Sequence, residues 1–113
     1  MAKIKKETRI KREKDRLLTI FKDLDANKLS TCSALIDRAA FITVNIEDLE
    51  ERLNLYGWVE YYQNGENQSG FKKSAAADVH ISLTKNLNAI VKQLLDLVPP
   101  AQRASRLEAM MKK

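Results

Sequence analysis

Between Ser74 and Pro99-Pro100 runs a stretch with neither Gly nor Pro, and its apolar residues keep one period throughout. Val79, Leu83, Leu87, Ile90, Leu94 and Leu97 follow one another at spacings of four, four, three, four and three. That repeat places side chains on one stripe of an α-helix. Ile81, Asn88 and Leu95 form a second line, and Val91 and Val98 widen the main face. The spacing predicts a helix from about Ala75 to Leu97, capped by Ser74 and ended by the two prolines. At about 1.5 Å per residue it would be about 34 Å long. A chain of 113 residues supports one modest core. Short partner helices would leave part of such a helix uncovered, so subunit contacts are expected to bury the rest. The expected interface residues are Val79, Leu83, Leu87, Ile90 and Leu94. Head-to-tail contacts that close by rotation give rings, and the pattern suits a ring and a dimer alike.

The remainder also reads as helix. A first helix is predicted from about Lys3 to Phe21, with Ile10, Leu17, Phe21 and Leu24 as its apolar stripe. Only Ile4 is apolar before Ile10, so the first two turns are expected to be a free basic extension. Asp25 or Asn27 is placed to cap a second helix from about Lys28 to Thr43, whose broad apolar face runs from Leu29 to Ile42. Ala39-Ala40 would let another helix approach closely. Asn45 is then expected to cap a third helix, with Asp48 three residues on and Glu47, Glu50 and Glu51 in its first turns. Ile46, Leu49, Leu53 and Tyr56 would face the core, and Gly57 fits the helix stop. Trp58 to Tyr62 is β-leaning. Asn64-Gly65 is typical of a two-residue turn, which would pair Val59–Tyr62 with Glu66–Gly70, although a lone ribbon is only marginally stable. Residues 101–113, with Leu107, Met110 and Met111, suit a short helix or a disordered tail. The fold class is therefore all-α: a compact bundle of about four helices with one long C-terminal helix and a short β-hairpin at 58–70. Three regions follow: a basic N-terminal helix (1–24), a helical core and oligomerisation region (25–98), and a basic C-terminal tail (99–113).

Charge is unevenly spread. Residues 1–22 hold nine Lys/Arg against three Asp/Glu, residues 23–100 seven against eleven, and residues 101–113 four against one. A mildly acidic centre thus carries a basic arm at each end, which suits a polyanion such as nucleic acid. The candidate phosphate contacts are Lys3, Lys5, Lys6, Arg9, Lys11, Arg12, Lys14 and Arg16. They lie nearly all round the first helix, so binding through them would be electrostatic, steeply salt-dependent and poor in sequence preference. Trp58, Tyr61 and Tyr62 are assigned to packing or subunit contact rather than base stacking, because the loop gives them no basic neighbour before Lys72 and Lys73.

Catalytic chemistry finds little footing. The chain has one His and one Cys and lacks GxxxxGK[ST], HExxH and CxxC. Asp78 and His80, two apart on a helix, point in different directions. Glu47 and Glu51 read as a solvated helix start rather than a metal site. No cofactor and no metal is expected, and the chain is not expected to be an enzyme. Cys32 lies in an apolar phase and reads as small core filler. With no partner cysteine, a reducing cytoplasm is the expected compartment. No run approaches the roughly 18–20 apolar residues of a membrane span, and MAKIKKETRIKREK lacks a signal-peptide apolar region.

Three segments in order carry a family resemblance: Tyr56-Gly57-Trp58-Val59-Glu60 with Gln63-Asn64-Gly65, then Lys73-Ser74-Ala75-Ala76-Ala77-Asp78, then Leu95-Asp96-Leu97-Val98-Pro99 ahead of Arg103. This order resembles the phage terminase small subunits of tailed siphophages over about residues 28–103. Asp96 and Val98 stand where the family commonly has Gly and Thr, and Ala75 where a Pro often opens the long helix. The resemblance implies a non-catalytic subunit that binds double-stranded viral DNA at packaging initiation as a ring-like homo-oligomer. It would deliver that DNA to the large terminase, which holds the ATPase and nuclease, with an HNH endonuclease as a further partner in related phages. The implied location is the host bacterial cytoplasm. Two alternatives are a helical DNA-binding regulator and an adaptor with no DNA role. A helix-turn-helix regulator needs a recognition helix rich in Arg, Asn and Gln, whereas the helix expected after Asn45 carries four acids.

Overall fold

A computed structural model of the protein describes residues 4–112. Four helices and one ribbon follow in order: α1 (Lys6–Ile20), α2 (Ala26–Tyr56), β1 (Val59–Gln63), β2 (Ser69–Lys73), α3 (Ala75–Asp96) and α4 (Pro100–Met111). The chain is thus mostly helical, as the periodicity predicts. Among the described residues no helix is long and apolar enough to cross a membrane.

The largest departure is α2. Asp25 caps it, its carboxylate accepting from the Lys28 N–H at 3.0 Å. It then runs unbroken for 31 residues, so the expected break between Thr43 and Asn45 does not occur. Asn45 is no cap: its side-chain amide donates to the Phe41 carbonyl at 2.8 Å, one turn back. Residues 26–56 contain no Gly or Pro, so continuing the helix through Thr43, Val44 and Asn45 costs only a few tenths of a kcal/mol per residue in propensity. The buried face persists across the join, through Ile42, Val44 and Leu53. Gly57 then stops the helix at φ +88°, ψ 165°, a backbone region essentially reserved for glycine. Its N–H still donates to the Leu53 carbonyl at 2.8 Å. Tyr56, expected in the core, is exposed.

The ribbon forms in a different register from the expected one. Tyr61 pairs with Phe71 and Gln63 with Ser69, so the turn is a five-residue loop, 64–68, and not the Asn64-Gly65 dipeptide alone. The Asn64 N–H closes it onto the Gln68 carbonyl at 2.7 Å, and Gly65 takes the positive φ (+80°). The observed register stacks the Tyr61 and Phe71 rings edge-on, 5.8 Å apart. It also lays the Tyr62 ring over Gly70, where a β-carbon would meet it at 3.4 Å. The polar run Glu66-Asn67-Gln68 is left in the loop, where water solvates it.

α3 begins as expected, Ser74 Oγ accepting from the Ala77 N–H at 3.1 Å. The tail takes its helical alternative: Pro100 opens α4 at a position that needs no N–H. Arg103 Nε donates to the Leu95 and Val98 carbonyls at 3.0 and 3.3 Å, closing the end of α3.

α1 lies antiparallel along α2, Lys6 beside Asn45 and Lys14 beside Asp37. The core forms where α1, the first half of α2, the end of α3 and α4 converge. It consists of Leu17, Phe21, Cys32, Ile36, Ala39, Leu94, Val98 and Met110. Cys32 is fully buried there, and burial pushes its thiol pKa up. The radius of gyration is 18.1 Å, with extents of 63 × 37 × 21 Å. A compact chain of this size would have about 13 Å, so the bundle is drawn out. The cause is α2, about 46 Å long, which reaches past the first turn of α1.

Candidate nucleic-acid interface

The candidate cations of α1 fall into three groups. Lys6, Arg9 and Lys14 face acids of α2. Asp48 accepts from Arg9 at 2.7 Å and pairs with Lys6 at 3.2 Å. Glu47 lies 3.6 Å from Arg9, and Asp37 pairs with Lys14 at 2.8 Å. The Arg9 guanidinium, helped by Lys6 and opposed by partial burial, holds the Asp48 carboxyl below its usual range. Asp48 in turn raises Arg9, and Asp37 raises Lys14. The expected free basic extension is therefore corrected, because its first turn is fastened to the middle of α2.

Arg16 forms the second group. It makes two hydrogen bonds to the buried Glu13, at 2.7 and 3.0 Å. It also donates to the Met110, Lys112 and Ala109 carbonyls at 3.0, 2.9 and 3.3 Å. These are end carbonyls of α4, which a helix leaves without internal partners. Arg16 thus holds two helices together instead of facing solvent. The third group is open: Lys5 and Arg12 are exposed and, among the described residues, show no ion pair within 4 Å, while Lys11 has the exposed Asp15, 3.3 Å away. Lys3 lies outside the described residues.

The fold also joins the two basic chain ends. Arg106 of α4 donates to both Asp23 oxygens at 2.8 and 2.7 Å and to the Ile20 carbonyl. It holds Asp23 below the usual carboxylate range. With Arg16 bonded to the far end of α4, residues nearly a hundred apart in sequence form one basic end. Sequence reading missed Arg103 and Arg106 as fasteners because Arg103 bonds backbone carbonyls, which leave no pattern in the residue string, and Arg106 finds Asp23 and the Ile20 carbonyl more than eighty residues away.

The expected subunit-contact residues divide. Leu94 is fully buried in the protomer's own core, which corrects its assignment to an interface. Leu87 and Ile90 pack against that core, and Leu87 lines a hollow of about 200 Å³ with Leu17, Val91 and Met110. Leu83 and Tyr62 are half-buried, whereas Trp58, Tyr61 and Val79 are exposed. They have exposed apolar company: Leu55, Tyr56, Trp58, Val59, Tyr61 and Phe71 are each between 47% and 75% exposed. All lie at the end of α2 or on the ribbon. Phe71 was missed because only the true register places it beside Tyr61. Trp58 stacks edge-on against His80 at 5.2 Å, and His80 Nε2 lies 3.3 Å from Glu50, so the one histidine ties ribbon, α3 and α2 together.

Among the described residues no three His, Cys, Asp or Glu side chains are grouped as metal ligands. No protein-family model matches the chain, and neither a curated protein nor a solved structure is significantly similar to it.

Proposed function

We propose that this chain is the DNA-binding small subunit of a phage terminase, a non-enzymatic homo-oligomer that hands double-stranded viral DNA to the large terminase in the host bacterial cytoplasm. The observation that carries the proposal is the junction of the two basic chain ends through Arg16 and Arg106. That junction gives one end of an otherwise acidic protomer a cationic character, with Lys5 and Arg12 open to a phosphate backbone. The apolar ribbon and the end of α2 offer a second surface for neighbouring copies. Repetition around an oligomer multiplies weak single-site contacts into avidity. The segments that resemble the family fall at the stop of α2, on β1, at the cap of α3 and at the α3–α4 junction. A large terminase and an HNH endonuclease are the proposed protein partners.

One observation favours the adaptor alternative: Lys6, Arg9 and Lys14 are already paired with acids. Native mass spectrometry with and without a phage DNA duplex separates the two. A discrete closed oligomer that gains DNA supports the packaging subunit. A monomer or dimer indifferent to DNA at low salt favours the adaptor. Neutralising Lys5, Lys6, Arg9 and Arg12 together is expected to weaken DNA binding and flatten its salt slope; unchanged binding would remove α1 as the DNA site.

A further inference from the structure

We infer that α2 carries an internal competitor for phosphate: Asp37, Glu47 and Asp48 occupy α1 cations that would otherwise meet the DNA backbone, so the protein restrains its own DNA affinity. The inference rests on the DNA-binding reading above and concerns how that same surface is regulated.

The unbroken course of α2 creates the competitor. At a helix N-terminus, Glu47 and Asp48 would lie beside unpaired backbone N–H groups and the positive end of the dipole. In mid-helix those N–H groups are bonded to carbonyls one turn back. The cations opposite Asp48 are Lys6 and Arg9, each within 3.2 Å. Both acids stand on a rigid element at fixed height against α1, so the match recurs along it: Lys6 and Arg9 at Asp48, Arg9 also near Glu47, and Lys14 at Asp37.

The strength of these pairs makes them restraints and not fixtures. The Lys6, Arg9, Asp48, Glu47, Lys14 and Asp37 side chains keep a third to a half of their surface exposed. Pairs so hydrated contribute little to stability, and a phosphate can exchange with the carboxylate. Arg16 differs, because Glu13 is buried and the α4 carbonyls complete its shell. The α1 surface thus holds three open cations (Lys5, Arg12 and Lys11, the last beside the exposed Asp15), three releasable ones (Lys6, Arg9 and Lys14) and one that is structural, Arg16.

The test is anisotropy of a labelled 30-bp duplex titrated with the full-length protein across a salt series. Asp48→Asn with Glu47→Gln keeps side-chain shape and removes both charges. It is expected to bind about three- to tenfold tighter, with a salt slope steeper by about one to two ions. Glu66→Gln with Asp96→Asn changes net charge equally at acids that, among the described residues, have no cation within 4 Å, and is expected to gain much less. Unchanged or weaker binding by folded Asp48→Asn/Glu47→Gln, or an equal gain in the charge control, overturns the inference while DNA binding itself stands. Failure of both wild type and variant to bind at low salt overturns the DNA-binding reading and the inference with it. Should the double variant not fold, Lys5→Gln/Arg12→Gln is compared with Lys6→Gln/Arg9→Gln. The first pair is expected to cost more affinity, and an equal or smaller cost overturns the inference.

Discussion

Replacing Arg16 with Met keeps the aliphatic stem beside Leu17 and removes five hydrogen bonds, two to Glu13 and three to the end of α4. Because Glu13 is buried and the carbonyls belong to a helix end, unfolding by urea is expected to show a loss of about 2–4 kcal/mol. Lys11→Met, which breaks only an exposed pair, should stay within about 0.5 kcal/mol. Equal effects from the two would mean that Arg16 does not fasten α4. Two carboxyls predict the acid behaviour. Asp48 is lowered chiefly by its bond from Arg9, and Asp23 chiefly by Arg106, from an ordinary value of 3.8. A depressed folded-state pKa adds stability above the unfolded value, and that stability is lost as pH falls through the folded one. Stability should therefore be flat in this respect above about pH 5 and decline below about pH 4. In Asp23→Asn/Asp48→Asn the decline should be shallower, as read by thermal unfolding between pH 2.5 and 6; an unchanged acid limb would show that neither pair matters to folding.

At the scale of elements, Asn45 decides whether α2 is one helix or two. If Asn45 capped a new helix, Asn45→Ala would cost about 1 kcal/mol. In the middle of a continuous helix, alanine's better propensity offsets the bonds to Phe41 and Lys6, so a change within about 0.5 kcal/mol is expected, with helicity by circular dichroism unchanged. A full cap-sized loss would restore the break. Asn45 also shows why part of this fold was legible and part was not. Ser74, Pro99-Pro100 and the seam between them fix α3, because cap, stop and period agree. Gly57 marks the stop of α2 because glycine alone suits its backbone. Asn45 satisfies the same local pattern as a cap, yet it sits inside a helix, since its acids find cations on α1, nearly forty residues away in sequence. The ribbon register went the same way. The Asn64-Gly65 signal located the turn, but the contacts of Tyr61 with Phe71 and Tyr62 with Gly70 set its length. The basic residues of α1 were legible as cations. Their division into open, restrained and structural members depends on which face meets α2 and α4.

At the scale of the molecule, the two ends should respond oppositely to salt. In the proposed reading, the joined basic ends would attract polyanions through charges that salt screens. The ribbon and the end of α2 expose Leu55, Tyr56, Val59, Tyr61 and Phe71, whose burial between copies would be driven by loss of apolar surface and would not weaken as salt rises. The drawn-out shape keeps these exposed side chains from folding back onto the protomer's core, which lies where α4 meets α1. Tyr61→Ser with Phe71→Ser removes the paired rings at the tip of this surface and touches no residue of that core. The expected result, by light scattering after gel filtration at tens of micromolar, is a shift toward monomer at every salt concentration. The monomer's urea midpoint should move little, since both side chains are mostly exposed. Duplex binding should weaken as well, through lost avidity, although neither residue is a cation. If the variant keeps the wild-type mass, the contact between copies lies elsewhere, and the uncovered stretch of α3 around Val79 and Leu83 becomes the surface to change. If its mass falls while duplex affinity holds, then each protomer binds DNA through its own basic end, and assembly serves a step after binding.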